Sequence, residues 1–280
     1  MAKLMAVTPI SAFLLVALSA CTAENTVDTD SASQTPEQTQ TLRIAAAANL
    51  SDVLPQIVDG YKADKNLTAQ DIDVTYASSG KLYAQIKAGA PYDIFLSANQ
   101  EFPAKLAAER VVDNDKNNES YTPFTYTQGQ LALYSVTKSL HGLEPAAVSD
   151  LLIKDANGKI AIANPELAPY GASAQAYLQS QTLYNTLNQQ KRLIQAENIG
   201  QAFQYAHTGS VDYGFVAQSQ IIAIKAKPEQ FITLALASYP AILQDGIVIS
   251  DALIAADFTD YLRSKAGQHY FSQAGYLTLQ

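Results

Sequence analysis

Two serines and a glycine precede a predicted helix, and their hydroxyl and backbone N–H groups are of the kind that bind an anion. The alternating residues of 72–77 predict a strand, and the apolar spacing over 80–88 predicts a helix. Ser78, Ser79 and Gly80 lie between the two. The first N–H groups of a helix have no acceptor within it, and the helix dipole favours negative charge there. A serine in this position is more often an ordinary N-cap, so one such turn does not establish a site.

Three more turns of the same kind follow predicted strands or open predicted helices. They are Ala48-Asn49-Leu50-Ser51, Pro169-Tyr170-Gly171 and Asn198-Ile199. Each alone is ordinary turn chemistry, but two of the four turns fall in each half of the chain, and all carry uncharged, mostly small residues. Helix starts that meet in a cleft offer an anion several N–H and O–H donors without a formal positive charge. The sequence therefore predicts an anion site built from neutral donors.

Strands and helices are predicted to alternate along most of the chain. The predicted strands are 42–47, 72–77, 93–97, 130–136, 159–163 and 213–217, followed by an apolar run at 231–236 and an extended segment at 239–249. The predicted helices are 51–64, 80–88, 100–109, 147–153, 171–187, 198–207, 251–264 and 267–274. This succession is typical of parallel βαβ units, whose ligands bind at the carboxyl ends of the strands. The fold class is therefore α/β.

The 280 residues are too many for one typical domain, and the polar stretch 113–122 separates two βα blocks. We expect two lobes around a cleft. The first lobe is predicted to comprise 42–122 and 238–280, and the second lobe 123–237. A hinge is expected where the chain crosses between them, near 121–126 and 237–242.

The N-terminal residues predict export and attachment to a membrane. Residues 1–20 combine Lys3 with a short apolar run, which is the layout of a signal peptide. Cys21, the only cysteine in the chain, follows at once, and the stretch resembles a bacterial lipoprotein signal. That resemblance implies cleavage before Cys21 and lipid attachment to it. Residues 21–41 are rich in Thr, Ser, Gln and acids, a composition that predicts a flexible tether.

Charge and motif content argue against several other functions. The formal net charge is −8 and basic runs are absent, which argues against nucleic acid as a partner. The three histidines do not accompany a G-x-S-x-G motif, the glycine spacing of a phosphate loop is missing, and no residues have the spacing of metal ligands. We therefore predict that the protein is not an enzyme and needs no cofactor. A serine-dependent hydrolase is the less favoured alternative.

Five segments together resemble one protein family. They read AAAANLSDVL, YASSGKLYAQIKAGAPYDIFLSA, IAIANPELAPYGASA, AENIGQAF and DYGFVAQSQI. The chain from about Leu42 to Gln280 is similar to the molybdate-binding component of ABC importers. The resemblance implies a two-lobed type II periplasmic-binding-protein fold. It further implies a monomer on the periplasmic or extracytoplasmic side that captures molybdate, and also tungstate, and delivers it to an ABC permease.

The resemblance also assigns roles to particular residues. The implied oxyanion ligands are Asn49, Ser79, Tyr170 and Ile199, with Ala48 and Ser78 as possible additions. Ser79 donates through its hydroxyl and N–H, Asn49 through its side chain, and the other two through backbone N–H groups. The metal is held as its oxyanion and has no direct protein ligand. One branch of the family adds a tyrosine hydroxyl where this chain has Ala217, so Asn49 is expected to take a larger share.

The ligand chemistry leaves other tetrahedral oxyanions, such as sulfate, as an alternative. A fully deprotonated dianion offers only acceptors, so its pocket should offer only donors. Sulfate and molybdate share charge and shape, so the radius of a rigid pocket must separate them. Among nearby charged residues, Lys81 is expected to point into water, Arg43 to pair at a sheet edge and Asp93 to be structural.

Overall fold

The computed structural model describes residues 41–112 and 121–278, which belong to one compact unit. The predicted signal peptide 1–20, Cys21 and the predicted tether up to residue 40 lie outside the described residues. None of the helices in the described ranges has the length and apolar character that a bilayer crossing requires.

The described chain alternates strands and helices as the sequence predicts. The strands are β1 (Leu42–Ala47), β2 (Ile72–Ala77), β3 (Ile94–Leu96), β4 (Phe124–Gly129), β5 (Leu131–Tyr134), β6 (Ile160–Ala163), β7 (Leu193–Ala196), β8 (Tyr213–Ala217), β9 (Phe231–Thr233) and β10 (Ile242–Val248). The helices are α1 (Leu54–Asp64), α2 (Ser79–Lys87), α3 (Glu101–Val112), α4 (Val148–Lys154), α5 (Pro169–Ser180), α6 (Tyr184–Gln189), α7 (Ile199–His207), α8 (Gln218–Ala223), α9 (Leu253–Arg263) and α10 (Lys265–Gln273). Short 3₁₀ helices occupy Ala48–Leu50, Pro145–Ala147, Pro228–Gln230 and Leu236–Ser238.

Two mixed sheets form the centres of two lobes. The first sheet has the strand order β2-β1-β3-β10-β4, in which β1 is parallel to β2 and β3 while β10 runs antiparallel to its neighbours. The second sheet has the order β7-β6-β8-β5-β9, in which β6 is parallel to β7 and β8 and β5 is antiparallel to β8 and β9. The predicted two-lobed α/β fold is confirmed, and the turns after β1, β2 and β6 lie at the carboxyl ends of parallel strands.

Apolar packing gives each sheet its own core, and the two cores meet at the cleft. In the first lobe, Tyr61 packs edge-on against Phe258 with ring centroids 5.1 Å apart. The core of the second lobe includes the β6 residues Ile160–Ala163, and it also contacts Ala47, Ala48 and Ala98 of the first lobe. The small alanine side chains therefore let the two lobes approach closely over the cleft.

The strand pairing moves one predicted boundary. β4 pairs with β10 in the first sheet, so the chain leaves that sheet at Gly129 and not at residue 122. The predicted second lobe, 123–237, thus begins one strand too early, because no strand is predicted between residues 97 and 130 and only Gln130 separates β4 from β5. The predicted return at residue 238 falls between β9 and β10.

The sequence missed three elements and merged two others. β4, β7 and α8 were not predicted as separate elements. The predicted helix 171–187 is two helices, α5 and α6, because the chain turns at Thr182, which has a φ of 57°. A left-handed residue cannot continue an α-helix.

Candidate functional site

A small cavity lies between the lobes at the carboxyl ends of the parallel strands. Its lining consists of Ala47, Ala48, Asn49, Ala77, Ser78, Ser79, Ala98, Ala168, Pro169, Tyr170, Asn198 and Ile199. The structure thus brings together all six residues that the sequence proposed for an oxyanion. Four of them lie on two turns of the first lobe, and the other two lie on two turns of the second lobe. The cavity volume is about 10 Å³, which is close to the space of one water-sized group and far below the 300 Å³ or more of pockets for organic ligands. None of the lining residues carries a formal charge.

The Ser79 hydroxyl is oriented by a backbone group of the first lobe. Ser79 is fully buried as the first residue of α2, and its Oγ accepts a hydrogen bond from the Ala98 N–H at 3.0 Å. Because Oγ serves there as acceptor, its own hydrogen remains to be donated. The neighbouring Gly80 N–H donates to the Leu167 carbonyl of the second lobe at 2.8 Å. The start of α2 therefore combines a hydroxyl donor with a direct contact between the lobes.

Ser78 adds a second buried hydroxyl. Its side chain is 2% exposed, and Oγ has no hydrogen-bond partner in the described part of the chain. It stands at the N-cap position of α2 but makes no side-chain cap. Leaving a buried hydroxyl unpaired costs about 1–3 kcal/mol, so a group bound in the cavity would gain by pairing with it.

The Asn49 side chain is held by the protein itself. Asn49 is fully buried, and its Nδ2 donates to Gln244 Oε1 and to Tyr276 Oη, both at 3.0 Å. These two bonds use both hydrogens of the carboxamide. In this arrangement Asn49 offers the cavity the backbone N–H groups of its 3₁₀ turn, Ala48–Leu50. Donation from its side chain, expected from the resemblance, stays a prediction.

Ala217 does not replace the missing tyrosine hydroxyl. It is fully buried at the N-cap of α8, and its N–H donates to Gln220 Oε1 at 3.0 Å. The hydroxyl of Tyr276 in the first lobe does not line the cavity either, and it donates to the Asn49 carbonyl at 2.7 Å.

The second lobe faces the cavity with the first turns of two helices. Tyr170 is the second residue of α5, after Pro169, and Ile199 is the first residue of α7. Asn198 caps α7, since its Oδ1 accepts from the Gln201 N–H at 3.0 Å. This cap leaves the Ile199 N–H without an acceptor inside the helix. An anion at this place would receive backbone N–H groups and the positive ends of two helix dipoles.

Charged residues stand outside the cavity. Lys81 is exposed, as expected, and its Nζ also lies 3.0 Å from Glu197 Oε1 of the second lobe, so the pair joins the two turns across the cleft. Asp93 is buried, and its Oδ2 accepts from the Arg43 N–H at 2.8 Å, which is a structural role as expected. In the described ranges, no group of three or more His, Cys, Asp or Glu is placed to hold a metal ion.

The tyrosines around the cavity remain neutral donors. Burial raises the pKa of the Tyr170 hydroxyl well above its ordinary value, and it does the same for Tyr126 and Tyr276. These three hydroxyls therefore stay uncharged over the physiological pH range.

Sequence reasoning missed two residues that support the cavity. Gln244 and Tyr276 hold the Asn49 side chain, although they lie 195 and 227 residues away in the chain. A signal for Gln244 was present, because the polar pair Gln244-Asp245 interrupts the apolar residues of AILQDGIVIS, and buried polar side chains in a central strand need partners. Tyr276 offered no comparable signal.

Two α/β lobes that close on a small, uncharged, donor-rich cavity define a protein that binds a small solute. The model of the family "Bacterial extracellular solute-binding protein" matches residues 42–277, and the chain belongs to that family. The family comprises substrate-binding proteins and not enzymes.

Three individual proteins are similar to this chain over most of its length. The chain is 31% identical to the molybdate-binding protein ModA of Rhodobacter capsulatus over 75% of this chain and 79% of that protein. It is 31% identical to a putative ABC transporter substrate-binding lipoprotein, YvgL of Bacillus subtilis (strain 168), over 95% of each chain. The structure of the periplasmic molybdate-binding protein of Azotobacter vinelandii matches with a TM-score of 0.75 and 30% identity, over 85% of this chain and all of that one.

Proposed function

We propose that the protein binds molybdate, and tungstate with it, in the cavity between the lobes. The observation that carries the proposal is the convergence of four uncharged turns on one small cavity whose lining includes the unpaired Ser78 hydroxyl. The names of the relatives from Rhodobacter capsulatus and Azotobacter vinelandii support the same ligand. Asn49, Ser79, Tyr170 and Ile199 hold the oxyanion, with Ala48 and Ser78 beside them.

The physical basis is a match between acceptors and donors. Each hydrogen bond from an N–H or O–H group to a charged oxygen contributes about 1.5–3 kcal/mol, so a few of them hold a dianion without a lysine or arginine. A buried cation would add its own desolvation cost. A carboxylate in the lining would repel the ligand, and the lining has none.

The protein delivers its ligand, in this proposal, to the membrane permease of an ABC importer. The lobes close as a hinge motion that adds the second-lobe donors to an anion already held by the first lobe. Lipid on Cys21 holds the protein at the extracytoplasmic face of a membrane, and it acts there as a monomer. The description of the Bacillus subtilis relative as a substrate-binding lipoprotein supports the anchor. Mass spectrometry of the protein purified from native membranes tests it, and an unmodified Cys21 in the purified chain would contradict it.

Titration calorimetry with four anions tests the ligand. We expect tight binding of molybdate and tungstate and much weaker binding of sulfate and phosphate, because the donors lie on rigid helix starts that cannot contract onto a smaller anion. Sulfate binding as tight as molybdate binding would make the protein a receptor for another tetrahedral oxyanion. No binding of any of the four would overturn the proposal.

A further inference from the structure

The Gln244 side chain touches both lobes behind the cavity. Gln244 lies in β10 of the first sheet and is fully buried. Its Oε1 accepts hydrogen bonds from Asn49 Nδ2 and from Tyr126 Oη, both at 3.0 Å and both within the first lobe. Its Nε2 donates to Tyr170 Oη of the second lobe at 3.3 Å. One carboxamide therefore connects two residues that line opposite walls of the cavity.

Gly129 makes room for this connection. It is the last residue of β4, where the chain passes to the second lobe, and its φ is not in the left-handed region. A Cβ at this position would lie 2.8 Å from Gln244 Nε2 and would overlap the Tyr170 hydroxyl. A glycine at this position therefore provides space for the contact between Gln244 and Tyr170. It is not required by the backbone conformation.

Opening of the lobes would affect the hydrogen bonds at the two ends of the Gln244 carboxamide differently. The bonds at Oε1 stay within the first lobe and survive a movement of the second. The bond from Nε2 to Tyr170 joins the two lobes, so a movement that parts the lobes at this point would break it. Once the lobes part, Nε2 and the tyrosine hydroxyl must pair with water instead.

We propose that Gln244 is a positioning residue that fixes the Asn49 carboxamide and, through Tyr170, stabilises the closed, ligand-bound form. This inference rests on the proposed function, since it concerns closure around the same cavity. Its bond to Tyr170 forms late, after the anion is already held by the first lobe. Loss of the bond therefore accelerates release of the anion and leaves its capture unchanged.

The Tyr170→Phe variant isolates the bond across the cleft. It removes the hydroxyl and keeps the Tyr170 backbone N–H, the group proposed to contact the anion. We expect the dissociation rate of molybdate to rise about three- to tenfold, with an association rate near that of the native protein. The chain has no tryptophan and 16 tyrosines, so stopped-flow tyrosine fluorescence follows binding. The slope of the observed rate against molybdate concentration gives the association rate constant, and the intercept gives the dissociation rate constant. The ligand-free melting temperature is expected to stay close to that of the native protein.

Two more variants and a control separate positioning from general stability. Gln244→Met removes both sets of bonds, and in the Tyr170→Phe background it should accelerate release by less than it does alone, because the shared bond is already lost. Gly129→Ala should weaken binding by holding Tyr170 away from Gln244. The matched control is Tyr213→Phe, which removes a hydroxyl that donates to Asp155 Oδ2 at 2.9 Å within the second lobe. This control should lower the melting temperature and leave both rates unchanged.

The outcomes distinguish this inference from the function it rests on. If the native protein binds none of the four anions in calorimetry, the proposed function fails. If it binds molybdate but Tyr170→Phe releases it at the native rate, the role of Gln244 alone is overturned. Fully additive effects of Gln244→Met and Tyr170→Phe would also overturn it.

Discussion

The two walls of the cavity present their hydrogen-bond donors in different ways. The first-lobe wall contributes side chains, since Ser78 and Ser79 bring buried hydroxyls to the start of α2. On the second-lobe wall the Tyr170 hydroxyl is already bonded to Gln244 and the Ile199 side chain is apolar, so backbone N–H groups remain. Truncating a side chain should therefore weaken binding directly in the first lobe. In the second lobe a change should do so only indirectly, by moving a helix start or by removing a contact that holds the lobes together.

The largest effect is expected for Ser79→Ala in the first-lobe wall. The variant removes a hydroxyl donor to a charged oxygen and leaves the Ala98 N–H without its acceptor. A loss of about 1.5–3 kcal/mol corresponds to roughly 10- to 100-fold weaker binding of molybdate, measured by titration calorimetry.

Ser135→Ala is the matched control for this substitution. Ser135 is fully buried in the second lobe, and its Oγ accepts from the Thr137 and Lys138 N–H groups away from the cavity. It should lower the melting temperature and leave the affinity unchanged. Equal affinities of the native protein and Ser79→Ala would show that the first-lobe wall does not work through its side chains.

A smaller effect is expected for Asn198→Ala in the second-lobe wall. The variant removes the cap of α7, worth about 1 kcal/mol, so the first turn that carries the Ile199 N–H loses its fixed position. We expect the affinity for molybdate to fall about two- to fivefold in calorimetry. Asn198→Ser, which keeps a capping oxygen, should restore most of it. If serine proves no better than alanine, the Asn198 carboxamide itself contacts the anion and the second wall is not purely backbone.

The ion pair between Lys81 and Glu197 tests how the two walls act together, because it joins one turn of each wall. Glu197 stands two residues before Ile199, so without Lys81 its carboxylate would face the dianion uncompensated. Both side chains are partly exposed, and exposed pairs contribute little, so Lys81→Met should weaken binding only about two- to threefold at low salt.

Removing the charge of Glu197 as well tests whether Lys81 acts by neutralising that carboxylate. Glu197→Gln combined with Lys81→Met should return the affinity to near the native value, because no carboxylate is left beside the site. A double variant that binds as weakly as Lys81→Met would show that the attraction between the lobes, and not the masked carboxylate, is what Lys81 supplies. High salt should diminish the effect of Lys81→Met in either case.

The parts of the fold that depend on local chain chemistry could be predicted from the sequence. Strands β1, β2, β6 and β8 and the helix starts at the ends of the first three have the apolar periods and turn residues that propensity rules describe. β7 was missed because it is a half-buried strand with an exposed Gln195, and such a strand has no apolar run. β4 was assigned to the wrong lobe because sheet membership is set by a partner, β10, more than 100 residues later.

The same division holds within the cavity. Each lining turn was recognisable from its own residues, and the structure brings these turns together. The hydrogen bonds that hold the Asn49 side chain were not recognisable. Gln244 and Tyr276 lie 195 and 227 residues later in the chain, and they reach Asn49 only after the chain has passed to the second lobe and returned. The pairing of the exposed Lys81 with Glu197 was not predicted, for a similar reason. A helical position alone predicts a solvated lysine, and only the approach of the second lobe supplies its partner.

The smallest effect is expected for pH, and it tests the feature that both walls share. Tyr170 is the only titratable side chain in the lining, and burial raises the pKa of its hydroxyl well above the ordinary value. A phenol is neutral below its pKa, so a raised pKa keeps Tyr170 uncharged through neutral and mildly alkaline pH. The dissociation constant for molybdate should therefore change less than about twofold between roughly pH 6 and pH 9 at fixed ionic strength. Calorimetry across this range checks the expectation. A tenfold change would mean that a group which gains or loses a proton contacts the ligand, and neither wall would then be as neutral as its residues indicate.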